Sequence, residues 1–104
     1  MIVRLVRMTF HPSSVDDFLT QFAVAKDQIR SFPGCLHLEL LQNDRFPNIL
    51  STYSVWDSRD ALESYRNSEM FIDIWQRTSA WFVAPPRASS WSQIQTAKES
   101  ASLA

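Results

Sequence analysis

Four breaks in the sequence limit the folds open to this chain, because each break lies where a helix or a strand has to end. They are residues 11–12 (His-Pro), 32–34 (Phe-Pro-Gly), 43–48 (Asn-Asp-Arg-Phe-Pro-Asn) and 85–86 (Pro-Pro). Proline removes a backbone donor and fixes φ, glycine accepts positive φ, and Asn and Asp favour turns. The hydrophobic period between the breaks therefore decides the secondary structure.

Four segments are typical of β-strands, and two repeat apolar residues at the three- and four-residue steps of a helix. The predicted strands are residues 1–10, 35–42, 49–56 and 88–96. The predicted helices are residues 15–29 and 61–82, the second pausing at residues 67–68, where Ser68 is able to cap a new start. In the second strand, alternation predicts Leu36, Leu38 and Leu40 on one face and Cys35, His37 and Glu39 on the other.

The order β-α-β-β-α-β predicts an α+β, ferredoxin-like fold, in which two helices cover one face of an antiparallel sheet. We assign residues 1–96 to a single domain and residues 97–104 to a polar C-terminal tail. The first strand is apolar on both sides, with Val6 and Met8 on one face and Val3 and Leu5 on the other. A second copy of the sheet would cover the open face, which predicts a homodimer.

Composition excludes several classes of function. Ten basic and eleven acidic residues are scattered without runs, so we expect neither a nucleic-acid nor a membrane partner. Cys35 is the single cysteine, which excludes an internal disulfide and favours a cytoplasmic location. Gly34 is the single glycine, so no glycine-rich phosphate-binding loop exists. The histidines and the cysteine lack zinc-ligand spacing, and we expect no metal.

Aromatic residues on the second predicted helix are the first candidates for a site. Tyr65, Phe71, Ile74 and Trp75 share its apolar stripe. Trp75 and Phe71 are suited to form a wall over a planar ligand, and the Tyr65 hydroxyl is suited to orient or protonate a phenolic oxygen. The alternative for each of these residues is packing in the core.

Charged residues in the strands are the second candidates. Arg4 and Arg7 lie among apolar neighbours on opposite faces of the first strand. A buried guanidinium needs a partner, which is either a substrate enolate or an acidic side chain such as Glu39. His37 shares a face with Glu39, whose carboxylate is able to tune its protonation. A salt bridge for the arginines and a dimer-interface hydrogen bond for His37 are the alternatives.

Several short motifs taken together resemble the antibiotic biosynthesis monooxygenase family, over roughly residues 1–95. They are Val6-Arg7-Met8-Thr9-Phe10, Phe32-Pro33-Gly34-Cys35, Tyr53-x-x-Trp56-Asp57-Ser58, Ala61-Leu62 and Tyr65-x-x-Ser68-x-x-Phe71. The resemblance implies the dimeric α/β-barrel group, which includes cofactor-independent oxygenases of quinols and polycyclic phenols, haem-degrading enzymes and signal-molecule isomerases.

The sequence departs from the reactive positions of two branches of that family. Haem-degrading members carry an Asn, a Trp and a His at positions that align approximately with Val6, Tyr65 and Trp75. Quinol-oxidising members often carry histidines where this chain has Tyr65 and Met70. Without a histidine on the second helix, an axial ligand for haem iron is not evident.

The sequence therefore favours a cofactor-independent monooxygenase that oxidises an electron-rich aromatic, quinol-like or anthrone-like, with O₂. The expected partners are a small aromatic or hydrophobic molecule and a second copy of the chain. The predicted catalytic residues are Tyr65, Trp75, His37 and Arg7, and the predicted ligand-binding residues are Arg4, Val6, Tyr53, Phe71 and Ile74. A non-catalytic dimer that binds a small hydrophobic ligand is the alternative, and a haem-degrading enzyme is the third hypothesis.

Overall fold

The computed structural model describes residues 1–97, so residues 98–104 of the predicted tail lie outside the described residues. The strands are β1 (Ile2–Thr9), β2 (Cys35–Gln42), β3 (Ile49–Trp56) and β4 (Arg87–Ser92). The helices are α1 (Val15–Arg30), α2 (Arg59–Arg66) and α3 (Glu69–Ser79). The fourth strand is shorter than the predicted range 88–96 and begins one residue earlier.

The four strands form one antiparallel sheet in the order β2-β3-β1-β4. β1 is central, and Ile2 lies opposite both Trp56 of β3 and Ser92 of β4. The helical connections join β1 to β2 and β3 to β4, strands that are not neighbours, which is the split βαβ arrangement. The predicted ferredoxin-like α+β fold is confirmed, and its sheet is open.

Even-numbered residues of β1 and β3 face the helices and build the core in two clusters. One cluster contains Met8, Phe10, Phe18 and Leu50, all at most 3% exposed. The other contains Cys35, Trp56 and Leu62, with Tyr65 packed against it. Each cluster joins residues of the sheet to residues of a helix, so both helical segments cover the same face, as predicted.

A bulge at the start of β2 changes the predicted faces of that strand. Cys35 lies opposite Trp56, but His37 lies opposite Val55, so the register shifts by one residue between them. Cys35 is consequently buried at 4% exposure, whereas Leu36 is 40% exposed. The prediction that Leu36 shares a face with Leu38 and Leu40, and Cys35 with His37 and Glu39, was wrong, because the extra residue reverses the alternation on one side of the bulge.

The second predicted helix consists of two helices, α2 and α3, separated at Asn67 and Ser68. The Ser68 hydroxyl accepts a hydrogen bond from the Phe71 amide at 3.1 Å and donates one to the Tyr65 carbonyl at 2.6 Å. The predicted new cap at Ser68 is thus confirmed, and it holds the end of α2 against the start of α3. None of the described helices has the length and apolarity needed to cross a bilayer.

The odd-numbered face of the sheet has no helix packed on it within residues 1–97. It carries apolar and aromatic side chains next to charged ones. Its members include Val3, Leu5, Arg7, His37, Glu39, Tyr53, Val55 and Trp91. Trp91 lies opposite Val3 in the register and is 59% exposed. Tryptophan side chains are largely buried in most proteins, so an indole this exposed on an open sheet face is unusual.

Gly34 lies where the start of β2 meets the start of α2, and we predict that its replacement by alanine destabilises the protein. Its φ is +87°, and a Cβ atom there would overlap Ala61 Cβ and lie 2.8 Å from Asp57 Oδ1. Left-handed strain and overpacking together should lower the free energy of unfolding by about 2–4 kcal/mol in Gly34→Ala.

Urea denaturation measures this change in stability. The control is Ser31→Ala, which alters an exposed residue of the same turn and should stay within about 0.5 kcal/mol of wild type. Equal midpoints for Gly34→Ala and wild type would contradict the prediction.

Candidate active site

A cavity of about 270 Å³ lies between the helix-facing side of the sheet and the three helices. Its floor is formed by β1 and β3, one wall by α1, and the other wall by α2 and α3. The residues that line it include Arg4, Val6, Ser54, Trp56, Tyr65, Arg66, Phe71, Ile74 and Trp75. Small-molecule sites are concave and mostly apolar with a few polar groups, and this cavity has that character.

An unbroken series of aromatic contacts runs along one side of the cavity. The ring of Tyr65 stacks on Trp56 with centroids 4.8 Å apart, and its other neighbour Phe71 lies 5.1 Å away. Phe71 in turn stacks on Trp75 at 5.9 Å and 14° between the planes. The Tyr65 and Phe71 planes are 64° apart, so the wall combines the edges and faces of rings that hold one another in place, and it can pack on a planar ligand by stacking or edge contacts.

Arg4 is the cation on the floor of the cavity. In the register it lies between Ser54 of β3 and Ser90 of β4, and its Nη1 donates to Ser90 Oγ at 2.9 Å. Burial lowers the pKa of Arg4, the nearby charge of Arg66 lowers it further, and Glu63 opposes both effects. Among residues 1–97, no carboxylate lies within 4.0 Å of this guanidinium.

Ser54 places a hydroxyl beside Arg4. It is 6% exposed, and its Oγ accepts a hydrogen bond from Trp56 Nε1 at 3.0 Å. The hydroxyl hydrogen has no acceptor among the described residues, so it is free to donate to a ligand. The hydrogen bond from Trp56 to Ser54 gives the buried indole N–H its acceptor and fixes the Trp56 ring beneath Tyr65.

Tyr65 provides a neutral phenol in the lining of the same cavity. Burial raises the pKa of Tyr65, and the nearby Cys35 thiol raises it further. Within residues 1–97 its hydroxyl has no hydrogen-bond partner, and no partnerless side-chain oxygen is sealed from solvent. The hydroxyl therefore reaches accessible space and is available as a donor.

The structure brings six predicted site residues to the cavity: Arg4, Val6, Tyr65, Phe71, Ile74 and Trp75. Arg7, His37 and Tyr53 are not among the lining residues. They lie on the open face of the sheet, because alternation along each strand points their side chains away from the helices. The sequence identified the two faces of β1 without indicating which of them lines a pocket.

His37 and Tyr53 form a separate cluster on that open face. His37 Nε2 lies 3.1 Å from Glu39 Oε1, and the His37 and Tyr53 rings make an edge contact at 5.8 Å. Glu39 therefore contacts His37, as predicted, but it is not the partner of Arg4.

Sequence reasoning missed four polar lining residues, Thr52, Ser54, Arg66 and Thr78, of which Ser54 and Arg66 bear on Arg4. Ser54 had a detectable signal, since it is a small polar residue at an inward position two residues before Trp56. Arg66 had none, because a basic residue in the last turn of a helix is ordinary and pairs with Glu63 at 3.1 Å.

Neither a metal centre nor a reactive thiol is evident in the described part of the chain. No group of three or more His, Cys, Asp or Glu side chains in residues 1–97 is arranged to hold a metal ion. Cys35 is buried, and burial raises the pKa of its thiol, with Arg30 opposing the shift. The thiol therefore packs as a small apolar group beneath Tyr65.

The raised pKa of Tyr65 predicts a loss of stability at alkaline pH. The unfolded chain releases the tyrosine proton near pH 10, while the folded protein retains it. The unfolded state then binds fewer protons, so the free energy of unfolding falls as pH rises above about 10. Urea denaturation between pH 8 and pH 11 should show a shallower fall for Tyr65→Phe, and identical slopes would contradict the prediction.

Solved structures with the same fold share little sequence with this chain. A structure of an antibiotic biosynthesis monooxygenase superposes with a TM-score of 0.85 at 18% identity, covering 91% of this chain and 100% of its own. Rv0793 from Mycobacterium tuberculosis gives 0.84 at 15% identity, with 93% and 98% covered. SnoaB, a cofactor-independent oxygenase from Streptomyces nogalater, gives 0.83 at 20% identity, with 94% and 97% covered.

At the level of sequence, no curated protein is significantly similar to the chain. The sequence model of one family, described as antibiotic biosynthesis monooxygenase, matches residues 1–77, which include β1 to β3, α2 and most of α3. This match covers most of the chain and agrees with the resemblance carried by its motifs. The chain belongs to the antibiotic biosynthesis monooxygenase family.

Proposed function

We propose that this protein is a cofactor-independent monooxygenase that oxidises an electron-rich phenol, quinol or anthrone with O₂ in the cavity on the helix-covered face. The observation that carries the proposal is the position of Arg4, a cation without a carboxylate partner in the described residues, at the floor of an aromatic-walled cavity. Family membership and the fold shared with SnoaB support this class of reaction.

The walls of the cavity suit a planar substrate. Tyr65, Phe71 and Trp75 form one continuous aromatic side, and Val6 contributes an apolar patch to the floor. The volume of about 270 Å³ is near the lower end of the range for small-molecule sites, roughly 300 to 1,000 Å³. A small fused aromatic fits this size better than a porphyrin does.

Arg4 supplies the electrostatic part of the proposed catalysis. Oxidation by O₂ begins from the ionised substrate, because the anion gives up an electron far more readily than the neutral phenol. A guanidinium that is partly shielded from water, as Arg4 is, stabilises such an oxyanion more strongly than water does. The neutral Tyr65 hydroxyl is a second donor toward the same oxygen or toward a peroxide formed from O₂.

The substrate and O₂ together supply every atom and electron that the reaction needs. One electron passes from the carbanionic ring carbon to O₂, and the two radicals combine into a carbon–oxygen bond. The peroxide takes up a proton, the same carbon then loses its remaining hydrogen as a proton, and the O–O bond breaks. One oxygen atom remains as the new carbonyl, and the other leaves as water.

Replacement of Arg4 tests the site. Arg4→Gln removes the charge but keeps a hydrogen-bonding side chain, and the loss of oxyanion stabilisation should lower the rate of oxygen uptake about 100-fold. Arg77→Gln is the matched control, since Arg77 lies on the outer side of α3 paired with Asp73, and it should retain the wild-type rate. An oxygen electrode with anthrone or 1,4-naphthoquinol measures both, after subtraction of spontaneous oxidation.

The aromatic wall is tested in the same assay. Tyr65→Phe and Trp75→Phe should each reduce oxygen uptake, Tyr65→Phe through loss of a donor and Trp75→Phe through a smaller stacking surface. Wild-type rates in Arg4→Gln, Tyr65→Phe and Trp75→Phe together would contradict the site assignment.

A non-catalytic binding protein is the second candidate function. The specific observation in its favour is that the cavity lining within the described residues contains no histidine or carboxylate able to accept a proton from the ligand. Saturable quenching of tryptophan fluorescence without oxygen uptake, for every quinol and anthrone tested, would favour this candidate over the oxygenase.

We further propose that the open face of the sheet is covered by a second copy of the chain. Leu5, which is half-buried, and the 59% exposed indole of Trp91 lie on that face beside Val3 and Val55, each 8% exposed, and no helix within residues 1–97 packs on it. An isologous pair of sheets would bury this apolar surface on both chains at once.

Introducing a charge on that face should separate the two copies. Leu5→Arg places a guanidinium in the apolar interface, where its desolvation is unfavourable, and light scattering should report the mass of one chain instead of two. Val24→Arg on the exposed side of α1, where Val24 is 75% exposed, should keep the mass of two. A one-chain mass for the wild-type protein at micromolar concentration would overturn the proposal.

A further inference from the structure

Arg4 and Arg66 both line the cavity, and Glu63 on the same helix as Arg66 pairs with it, so within residues 1–97 these three side chains leave one positive charge uncompensated. Arg66 and Glu63 both act on the charge of Arg4, in opposite directions. Glu63 is already committed to Arg66, with Oε1 3.1 Å from Nη1. Arg4 has the neutral hydroxyl of Ser90 as its contact, at 2.9 Å. The cluster is therefore built to receive one negative charge.

The hydrogen-bonding groups around Arg4 are mainly donors, so a ligand bound there has to supply an acceptor. Arg4 has five N–H donors and no acceptor, and one of these donors is used by Ser90. The Ser54 oxygen accepts from Trp56, which leaves its hydrogen to donate. Tyr65, another residue of the cavity lining, is a protonated donor at neutral pH. A neutral ligand hydroxyl also accepts hydrogen bonds, but it brings a further donor hydrogen and no charge, whereas an ionised oxygen accepts only and forms stronger, charge-assisted bonds.

We propose that the cavity selects the anionic form of an acidic phenol or enol, taken from solution already ionised. The inference rests on the proposed function to the extent that it places the ligand in the same cavity. Among the substrates of the proposed function, it favours phenols and enols whose hydroxyl is acidified by a conjugated carbonyl group, such as acyl-substituted phenols and enolised diketones, and an already oxidised hydroxyquinone serves as a probe of the same anionic oxygen. Their proton passes to water before binding, so no side chain of the protein has to accept it.

A matched pair of ligands tests the selection of charge. The probes are 2-hydroxy-1,4-naphthoquinone, an acidic enol that is an anion at neutral pH, and its methyl ether, which has almost the same shape and no charge. Isothermal titration calorimetry at pH 7.5 should show that the anion binds at least about ten-fold more tightly, as expected for charge-assisted hydrogen bonds.

Two arginine variants locate the preference within the cluster. Arg4→Gln and Arg66→Gln should each reduce the ratio of the two dissociation constants several-fold, and Arg77→Gln should leave it unchanged. Arg66 is a safe second site, because its side chain is 42% exposed and its replacement does not disturb the core. Circular dichroism checks that each variant is folded.

Three results would overturn the inference: equal affinity for the two quinones, an undiminished preference in both arginine variants, or no binding of either quinone at millimolar concentration. The measurement is independent of turnover, because both probes are already oxidised. Selection of the anion without oxygen uptake on any reduced substrate would defeat the proposed oxygenase and leave this inference standing. Oxygen uptake without selection of the anion would defeat this inference and leave the proposed oxygenase standing.

Discussion

The stacking of Tyr65 on Trp56 joins the sheet to α2, and the position of the cavity depends on it. Trp56 is fully buried, and its indole nitrogen is satisfied by Ser54 within the same strand. The bulge in β2 brings Cys35 under the same cluster, which closes that end of the core. These contacts fix the position of α2, and the Ser68 cap fixes the start of α3. The space that remains between the helices and the sheet is the cavity, and one side of it is aromatic.

The fold could be predicted because its signals are local. The breaks at residues 11–12, 32–34, 43–48 and 85–86 separate segments whose apolar period is unambiguous, and the pause at residues 67–68 marks a real change of helix. The position of Leu36 could not be predicted, since a bulge depends on pairing with another strand and leaves no mark in the alternation of its own strand.

The candidate site was only half predictable, for a related reason. Residues of α2 and α3 follow one apolar stripe, so Tyr65, Phe71, Ile74 and Trp75 were identified together. Arg4 and Arg7 occupy an even-numbered and an odd-numbered position of β1 and therefore lie on opposite faces of the sheet. Nothing in the sequence indicates which of these faces the helices cover. Ser54 was identified only from the strand register, which places it beside Arg4. Arg66 was identified only from its electrostatic effect on Arg4.

A crystal structure of the protein with 2-hydroxy-1,4-naphthoquinone would show whether the Arg4 cavity is the ligand site. We expect electron density for the ring along Tyr65, Phe71 and Trp75, with the ionised oxygen within hydrogen-bond distance of the Arg4 guanidinium. Density for the ligand on the open face beside Arg7 and His37, with the cavity filled only by water, would contradict it.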